Sequence, residues 1–184
     1  MAIEIDAGQK AIETRQLRLL WMSPAFMTAS LEGRADDATA LVGARMPAEW
    51  PGEDDKRRLR HRLEQMERDP AQAEWLLRAI VRRDDGLMCG YITFHGAPER
   101  GKAELGYTVF EAQRRRGFAT EATEGMMRWA ATRHSVQSFV LSISPHNEAS
   151  LGVARKLGFV QTGSQMDEID GPELVFERTI EPAT

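Results

Sequence analysis

The residues with the clearest chemical potential are three consecutive arginines and a glycine, Arg114 to Gly117, which precede a long amphipathic segment. Small or apolar residues then recur at the three- and four-residue spacing of a helix face: Ala119, Ala122, Met126, Trp129 and Ala130. The first N–H groups of a helix have no backbone partner. Because glycine lets an anion approach the main chain, this turn predicts a phosphate or pyrophosphate site. Taken alone, the segment also fits a solvated basic turn.

Strands on both sides of the helix must position this turn. Residues 103–110 form a predicted strand that carries Glu104 near its start and leads into the arginines. Residues 138–143 form another after the helix, and such a strand–helix–strand crossover normally gives a right-handed parallel pair. Upstream, the segments 74–82 and 87–94 are predicted strands joined by a hairpin turn at residues 84–86. Three strands linked in this way predict an antiparallel meander.

Other elements complete a single predicted domain. Segments 15–21, 159–166 and 174–179 favour strands, and residues 1–13 are expected to be peripheral. Helices are predicted at three places, from Pro24 with Ser23 as its cap, from Asp36 or Asp37 to Val42, and from Glu53 to Asp69. Residues 46–52 contain two prolines and a glycine and are predicted to form a loop. We find no internal repeat or composition break, so the domain is expected to span 1–184, with its core in about 14–180.

A second candidate motif opens the next predicted helix. The segment from Pro145 to Ser150 contains Asn147, which suits the N-cap position, and Ser150 in the first turn. Leu151, Ala154 and Leu157 have the spacing of a buried face, and Gly158 is typical of a C-terminal cap. These capping roles are compatible with ligand binding by the same residues.

The two motifs at their mutual spacing resemble those of the GNAT superfamily of N-acetyltransferases. The resemblance rests on Arg-x-x-Gly-x-Ala at 114–119 and on Asn-Glu-Ala-Ser at 147–150, which leads to Lys-Leu-Gly-Phe at 156–159. The most similar subgroup is that of the ribosomal-protein N-terminal acetyltransferase-like proteins. The resemblance implies an α/β (α+β) fold, with a mixed, mostly antiparallel central sheet of six to seven strands flanked by helices. One parallel pair is expected after the cofactor-binding strand–turn–helix.

This resemblance implies that acetyl-CoA is the cosubstrate and that a primary amine is the acceptor. Main chain near Val109 would pair with the pantetheine arm, and Asn147 and Ser150 would contact the arm near its thiol. The coenzyme A pyrophosphate would be held by the turn and the first helical residues: Arg114, Arg115, Arg116, Gly117, Phe118, Ala119 and Thr120. Arg155 or Lys156 would meet the outer phosphates. Several hydrogen bonds to a charged group, at about 1.5–3 kcal/mol each, would suffice to anchor it.

Catalysis would consist of direct attack by the amine on the thioester, and the amine must lose a proton. Glu104 is the predicted base and acceptor-binding residue, with a surface ion pair to Lys102 or Arg100 as its alternative role. Glu121 is explained by the helix dipole. Many family members have a tyrosine seven residues after the asparagine, where this chain has Ala154. Ser150 or a water molecule is therefore the predicted donor to the thiolate, and Tyr107 is assigned to strand or core.

The acceptor and its pocket are less sharply defined by the sequence. Trp50 is expected either to pack on the core or to form part of the substrate wall. By the resemblance, Glu32 to Asp37, the Trp50 loop and Asp167 to Asp170 would border the acceptor pocket. A protein N-terminus, a small amine and an antibiotic all remain candidate acceptors.

Composition limits the function classes. The net charge is −4 with 24 basic residues spread along the chain, so nucleic-acid binding is not expected as the primary role. One cysteine, Cys89, excludes an intrachain disulfide, and no apolar run is long enough to cross a membrane. We therefore expect a cytoplasmic protein. We also expect no metal site, because the four histidines do not have the spacing of metal ligands. The oligomeric state is open, a homodimer included.

Two other function classes remain alternatives at this stage. Loss of the usual tyrosine is compatible with a coenzyme A-binding sensor or assembly module that has no transfer activity. The basic residues of 56–62 could contact nucleic acid, although a solvated face paired with acidic neighbours is favoured.

Overall fold

The computed structural model describes residues 11–167 and 171–180, which form one sheet covered by helices on both faces. The helices are α1 (Pro24–Leu31), α2 (Ala35–Val42), α3 (Glu53–Arg68), α4 (Phe118–His134) and α5 (Glu148–Lys156), with short 3-10 turns at Pro70–Gln72 and Glu111–Gln113. The strands are β1 (Ala11–Glu13), β2 (Leu17–Trp21), β3 (Arg78–Arg82), β4 (Met88–Phe94), β5 (Lys102–Val109), β6 (Ser138–Ile143), β7 (Val160–Asp167) and β8 (Gly171–Thr179).

Strand order confirms the predicted mixed, mostly antiparallel sheet. In the described part of the chain the order is β1-β2-β3-β4-β5-β6-β8-β7, and β5–β6 is its parallel pair. There are eight strands where six to seven were expected. The added strand is β1. Its residues Ala11–Glu13 pair antiparallel with residues 18–20 of β2 at one edge of the sheet, and Glu13 lies opposite Arg18. Residues 1–10 of the predicted peripheral segment lie outside the described residues.

Two apolar cores lie on opposite faces of the sheet. Helices α4 and α5 pack on one face through residues such as Met126 and Leu151, against Leu105 and Phe139 of the central strands. Helices α1, α2 and α3 pack on the other face, where Phe26 is fully buried. The α4–α5 core thus covers the parallel pair, whereas the α1–α3 core packs on β2, β3 and β4.

One predicted strand is shorter than its apolar pattern suggested. Residues 74–82 were expected to be extended throughout, but the strand begins at Arg78. The main chain before it turns, with Trp75 N donating to Gln72 O and Leu76 N donating to Ala73 O. Trp75 is buried against Phe94 by edge contact. A continuous buried apolar run has no strand-specific period, which explains why the prediction extended the strand too far.

The single cysteine has a structural environment. Cys89 is fully buried in β4, and its thiol donates to Ile80 O at 3.3 Å. Burial raises the pKa of the thiol to about 12, so the group stays protonated and unreactive at neutral pH. Cys89 is therefore a packed core residue of β4.

Two searches of the described residues concern other function classes. None of the helices there has the length and apolar character needed to cross a membrane. Within residues 11–167 and 171–180, no three His, Cys, Asp or Glu side chains lie close enough together to hold a metal ion.

Candidate functional site

A gap opens in the sheet where β5 and β6 part. The two strands pair only from Lys102↔Ser138 to Glu104↔Val140, although β5 continues to Val109 and β6 to Ile143. The unpaired end of β5 stays attached to β4, through pairs that run to Gly90↔Val109. The main chain of β5 beyond Glu104 therefore has one edge free for a ligand.

The predicted turn stands at the end of this unpaired edge. Arg115 has φ 62° and Gly117 has φ 82°, so the chain makes a left-handed turn before α4 begins at Phe118. No side chain caps the helix, and a Cβ built on Gly117 would meet no atom within 4 Å. The first amides of α4 therefore face open space without a capping partner.

A cavity of about 850 Å³ connects the turn, the free edge of β5 and helix α5. Most of the predicted cofactor residues line it: Val109, Arg114, Arg115, Gly117, Phe118, Ala119, Thr120, Asn147 and Ser150. Lys156 also lines it, while Arg155 instead pairs with the exposed Glu148 at 3.7 Å. This volume and the uncapped helix start suit a ligand with a long arm and a phosphate group.

The three arginines have different positions around the cavity. Arg114 Nε donates to Val109 O at 3.1 Å and so fixes the turn to the end of β5. Arg115 lines the cavity, and its positive φ turns the chain toward α4. Arg116 points to the other side of the turn, where its guanidinium lies 5.1 Å from the Phe118 ring centroid. The structure therefore brings Arg114 and Arg115, but not Arg116, into this cavity.

The second motif has the capping role expected from the sequence. Asn147 Oδ1 accepts a hydrogen bond from Ser150 N at 3.1 Å, which makes Asn147 the N-cap of α5. Both residues also line the cavity. The capping and ligand-facing positions therefore coexist.

Tyr107 also lines the cavity, although the sequence interpretation did not include it among the site residues. Its hydroxyl is buried near Ser150 and has no hydrogen-bond partner of good geometry among the described residues. Burial raises the pKa of the phenol, an effect that nearby Ser150 opposes. Ala154, at the position of the family's tyrosine, is fully buried in the core. The alternation of β5 places Tyr107 on the same face as Val109, a signal that could have identified it.

Glu104 lies on the opposite face of β5 from Val109, because the two are five residues apart. It does not line the cavity. Its Oε1 accepts a 2.6 Å hydrogen bond from Ser142 Oγ and lies 3.5 Å from His95 Nδ1. The alternative pairing with Lys102 does not form, since Lys102 Nζ contacts Glu177 at 2.7 Å. Glu104 thus faces the helix layer of α1–α3, across the sheet from the cavity.

Trp50 lies on that same face and is packed. Its ring is half-buried among Phe26, Tyr91 and Phe110, and its Nε1 donates to Ser30 Oγ at 3.1 Å. These contacts support the packing role predicted for Trp50, and the substrate-wall role stays a prediction. Residues 168–170, expected to border the acceptor pocket, lie outside the described residues.

Glu121 and the charged residues of α3 make contacts within the protein and lie outside the cavity. Glu121 accepts from Thr14 Oγ1 at 2.7 Å and from Gln16 N at 2.6 Å, which ties α4 to the β1–β2 turn. On α3, Lys56 pairs with Glu53 and Arg57 with Asp54, as expected for a solvated helix face.

Comparison with protein families identifies related sequences. A family model described as "Acetyltransferase (GNAT) domain" matches residues 25–160. The chain is 26% identical to "Uncharacterized N-acetyltransferase YjdG" of Bacillus subtilis (strain 168) over 150 residues, which cover 81% of this chain and 89% of the relative.

Solved structures with the same fold include proteins that contain the coenzyme. The ribosomal L7/L12 alpha-N-protein acetyltransferase RimL in complex with coenzyme A has a TM-score of 0.64 at 17% identity, covering 94% of this chain and 99% of its own. The microcin C7 self-immunity acetyltransferase MccE, in complex with acetyl-CoA and AMP, has a TM-score of 0.63 at 15% identity and covers 90% and 93% of the two chains.

Proposed function

Since this chain belongs to the GNAT acetyltransferase family, we propose that it transfers the acetyl group of acetyl-CoA directly to a primary amine. The resemblance found in the two sequence motifs is confirmed at the family level, and ribosomal-protein acetyltransferases are among the proteins of the same fold. The amine class and the roles of individual residues are the parts proposed here.

The observation that carries the proposal is the gap between β5 and β6, closed at one end by the uncapped start of α4. The amides of Gly117 to Thr120 would hold the pyrophosphate, because they have no side-chain cap and the glycine leaves their surface open. Arg114, Arg115 and Lys156 would add positive charge around it. The free main chain of β5 toward Val109 would pair with the pantetheine arm, and Asn147 and Ser150 would lie beside its thiol end.

The two faces of the sheet would separate the donor from the acceptor. The cavity lies on the α4–α5 face, whereas Glu104 lies on the opposite face, beside the point where the strands part. An amine that approaches from the Glu104 side would meet the thioester through the gap. Glu104 would then attract the cationic amine and take part in removing its proton.

The leaving thiolate needs a proton, and Tyr107 would supply it. Tyr107 lines the cavity, its buried hydroxyl has no well-aligned partner, and the raised pKa of the phenol keeps it protonated at neutral pH. We assign this role to Tyr107 in place of the family tyrosine that Ala154 replaces. Ser150, which neighbours Tyr107, would orient the phenol or relay the proton.

A transfer assay separates this proposal from the coenzyme-binding sensor. Purified protein is given acetyl-CoA and a panel of acceptors: a peptide with a free N-terminus, a polyamine, free amino acids and an aminoglycoside. Release of free thiol above the amine-free rate with one class supports transfer and names the acceptor. The same peptide with a blocked N-terminus is the control. Binding of coenzyme A without thiol release from any amine would instead support the sensor.

A cytoplasmic location and a homodimer remain predictions. Size-exclusion chromatography with light scattering tests the second directly, by the mass of the particle in solution.

A further inference from the structure

His95 follows the last residue of β4 and lies across from Glu104 on β5. Its N–H donates to Glu104 O at 2.9 Å, which continues the antiparallel ladder by one pair. Phe94 points into the α4–α5 core, so the next side chain, that of His95, points to the opposite face together with Glu104. The His95 side chain is 47% exposed there. It is therefore a histidine accessible to solvent beside the gap in the sheet.

The backbone of His95 is held at both its N–H and its carbonyl. Its carbonyl accepts from Gln65 Nε2 at 2.9 Å and from Arg62 Nη1 at 3.3 Å. Arg62 is itself buried, with 6% of its surface exposed, and this burial lowers its pKa to about 10. A buried arginine on α3 thus fixes the main chain from which the His95 ring extends.

A glycine makes room for the ring. A Cβ built on Gly106 would lie 2.8 Å from His95 Nε2, closer than real Cβ atoms approach other groups. Gly106 is two residues beyond Glu104, the last residue of β5 that pairs with β6. The Nε2 edge of the ring therefore lies over the stretch of β5 where the sheet is open.

Charged groups on three elements surround the ring. Glu104 on β5 lies 3.5 Å from Nδ1, Arg62 and Arg58 lie on α3, and Asp167 lies at the end of β7. Desolvation lowers the pKa of His95 below its ordinary value, Glu104 and Asp167 oppose the shift, and the two arginines add to it. At neutral pH the ring is neutral and has a lone pair available.

We propose that His95 is the base that removes the proton from the acceptor amine, and that Glu104 acts as the residue that positions it. With Nδ1 facing Glu104, Nε2 takes the proton. The cationic amine loses one proton to water, and its neutral nitrogen attacks the thioester carbonyl carbon. The C–N bond forms, the C=O π electron pair moves to oxygen, and a proton of that nitrogen moves to Nε2. The C–S bond then breaks with its electron pair on sulfur, and the thiolate takes a proton from Tyr107. His95 returns its proton to solvent, and the Tyr107 phenolate takes one back from solvent.

This inference rests on the proposed acetyl transfer and assigns one of its steps. General bases contribute about 10²- to 10⁴-fold to such reactions, so replacement of His95 should have a large effect on kcat. Binding of coenzyme A should not change, because His95 lies across the sheet from the cavity.

The test is the pH dependence of kcat/KM for His95→Gln, Glu104→Gln and the wild type, with one fixed amine acceptor. Wild type is expected to lose activity as the pH falls through the pKa of His95. In His95→Gln that step is absent and kcat is lower by about 10²-fold or more. In Glu104→Gln the step remains but moves to lower pH, because the carboxylate that raises the pKa of His95 is gone. Proton NMR titration of the His95 ring follows the same shift without any activity measurement.

Two further variants keep the result interpretable. His61→Gln removes an exposed histidine on α3 whose pKa is also lowered by burial, and it should leave the profile unchanged. Gly106→Ala keeps every titratable group but displaces the ring, and it should lower kcat while leaving coenzyme A affinity intact. The inference is overturned if His95→Gln retains the wild-type profile and rate, or if Glu104→Gln abolishes the step that His95→Gln keeps. Absence of amine-dependent thiol release in the wild type would instead overturn the proposed function itself.

Discussion

Ser142 Oγ donates a 2.6 Å hydrogen bond to Glu104 Oε1 across the point at which β5 and β6 part. Ser142 Oγ also accepts a hydrogen bond from Gln165 Nε2 at 3.2 Å, so a chain of polar contacts runs from β7 through Ser142 to Glu104. The bond fixes the carboxylate on the face opposite the cavity. It therefore connects the opening of the sheet with the position of its acidic side chain.

Removal of this bond should weaken catalysis without affecting the coenzyme. We expect Ser142→Ala to lower kcat by about 3- to 10-fold, the equivalent of a hydrogen bond of about 1 kcal/mol. Steady-state thiol release measures kcat, and calorimetry with coenzyme A provides the control, which should not change. An unaltered kcat would show that Glu104 needs no support from Ser142.

Gly117 should be required for both backbone geometry and coenzyme affinity. A side chain at φ 82° costs about 1–2 kcal/mol, and relief of that strain would move the amides of α4. Gly117→Ala is therefore expected to weaken coenzyme A binding by about 10-fold or more, which corresponds to about 1.4 kcal/mol. Isothermal calorimetry gives the dissociation constant.

The matched control for Gly117 is Gly43→Ala. Gly43 has φ 72° at the end of α2, and its Cβ would also meet no atom within 4 Å. Gly43→Ala should therefore lower thermal stability about as much as Gly117→Ala does, while its affinity for coenzyme A stays at the wild-type value. Equal loss of affinity in both variants would refute a specific role of the turn.

Tyr107→Phe tests the proposed proton donor. Removal of the hydroxyl should lower kcat by about 10- to 100-fold and leave the coenzyme A dissociation constant unchanged. Ser150→Ala should have a smaller effect, because serine would act through the phenol. If Ser150→Ala lowers kcat more than Tyr107→Phe does, the serine is the donor, as the sequence interpretation predicted. Because burial raises the pKa of Tyr107, the wild type should lose no activity from phenol ionisation at neutral pH.

Glu121 should contribute to stability in a pH-dependent way. Burial opposes ionisation, but hydrogen bonds from Thr14 and Gln16 outweigh it and lower the pKa of Glu121 below 4.5. Its contribution is therefore fully present above pH 4.5 and is lost as the pH falls through the lowered folded-state pKa. We expect Glu121→Gln to reduce the free energy of unfolding by about 1–2 kcal/mol at pH 7, with the difference shrinking in acid.

Urea unfolding at pH 7 and below pH 4 measures this difference. Glu124→Gln, on the exposed face of the same helix, is the control and should change stability by less than about 0.5 kcal/mol. A pH-independent loss in Glu121→Gln would mean that packing, and not charge, accounts for its role.

Local sequence signals were sufficient for the elements that line the cavity. Gly117 before an amphipathic helix and Asn147 at a cap position are encoded within a few residues, and the structure places both at one cavity. Glu104 was harder to place, because the role proposed for it depends on which face of β5 it occupies. The five-residue spacing to Val109 contained that information, since strand side chains alternate.

Long-range register could not be obtained from local patterns. The position of His95 against Glu104 depends on how β4 pairs with β5, and the gap depends on where β5 leaves β6. Burial of Trp75 likewise involves Phe94 and Trp129, far along the chain, so its segment turns although its composition favours a strand. Tertiary contacts decided these features.

The most direct test is to follow both products of one reaction, the free thiol and the acetylated amine. Wild-type protein is incubated with acetyl-CoA and the best acceptor of the panel, and mass spectrometry counts acetylated product against thiol released. The account predicts one acetylated amine for each thiol. Thiol release without acetylated amine, or no thiol release from any amine by folded protein, would contradict it.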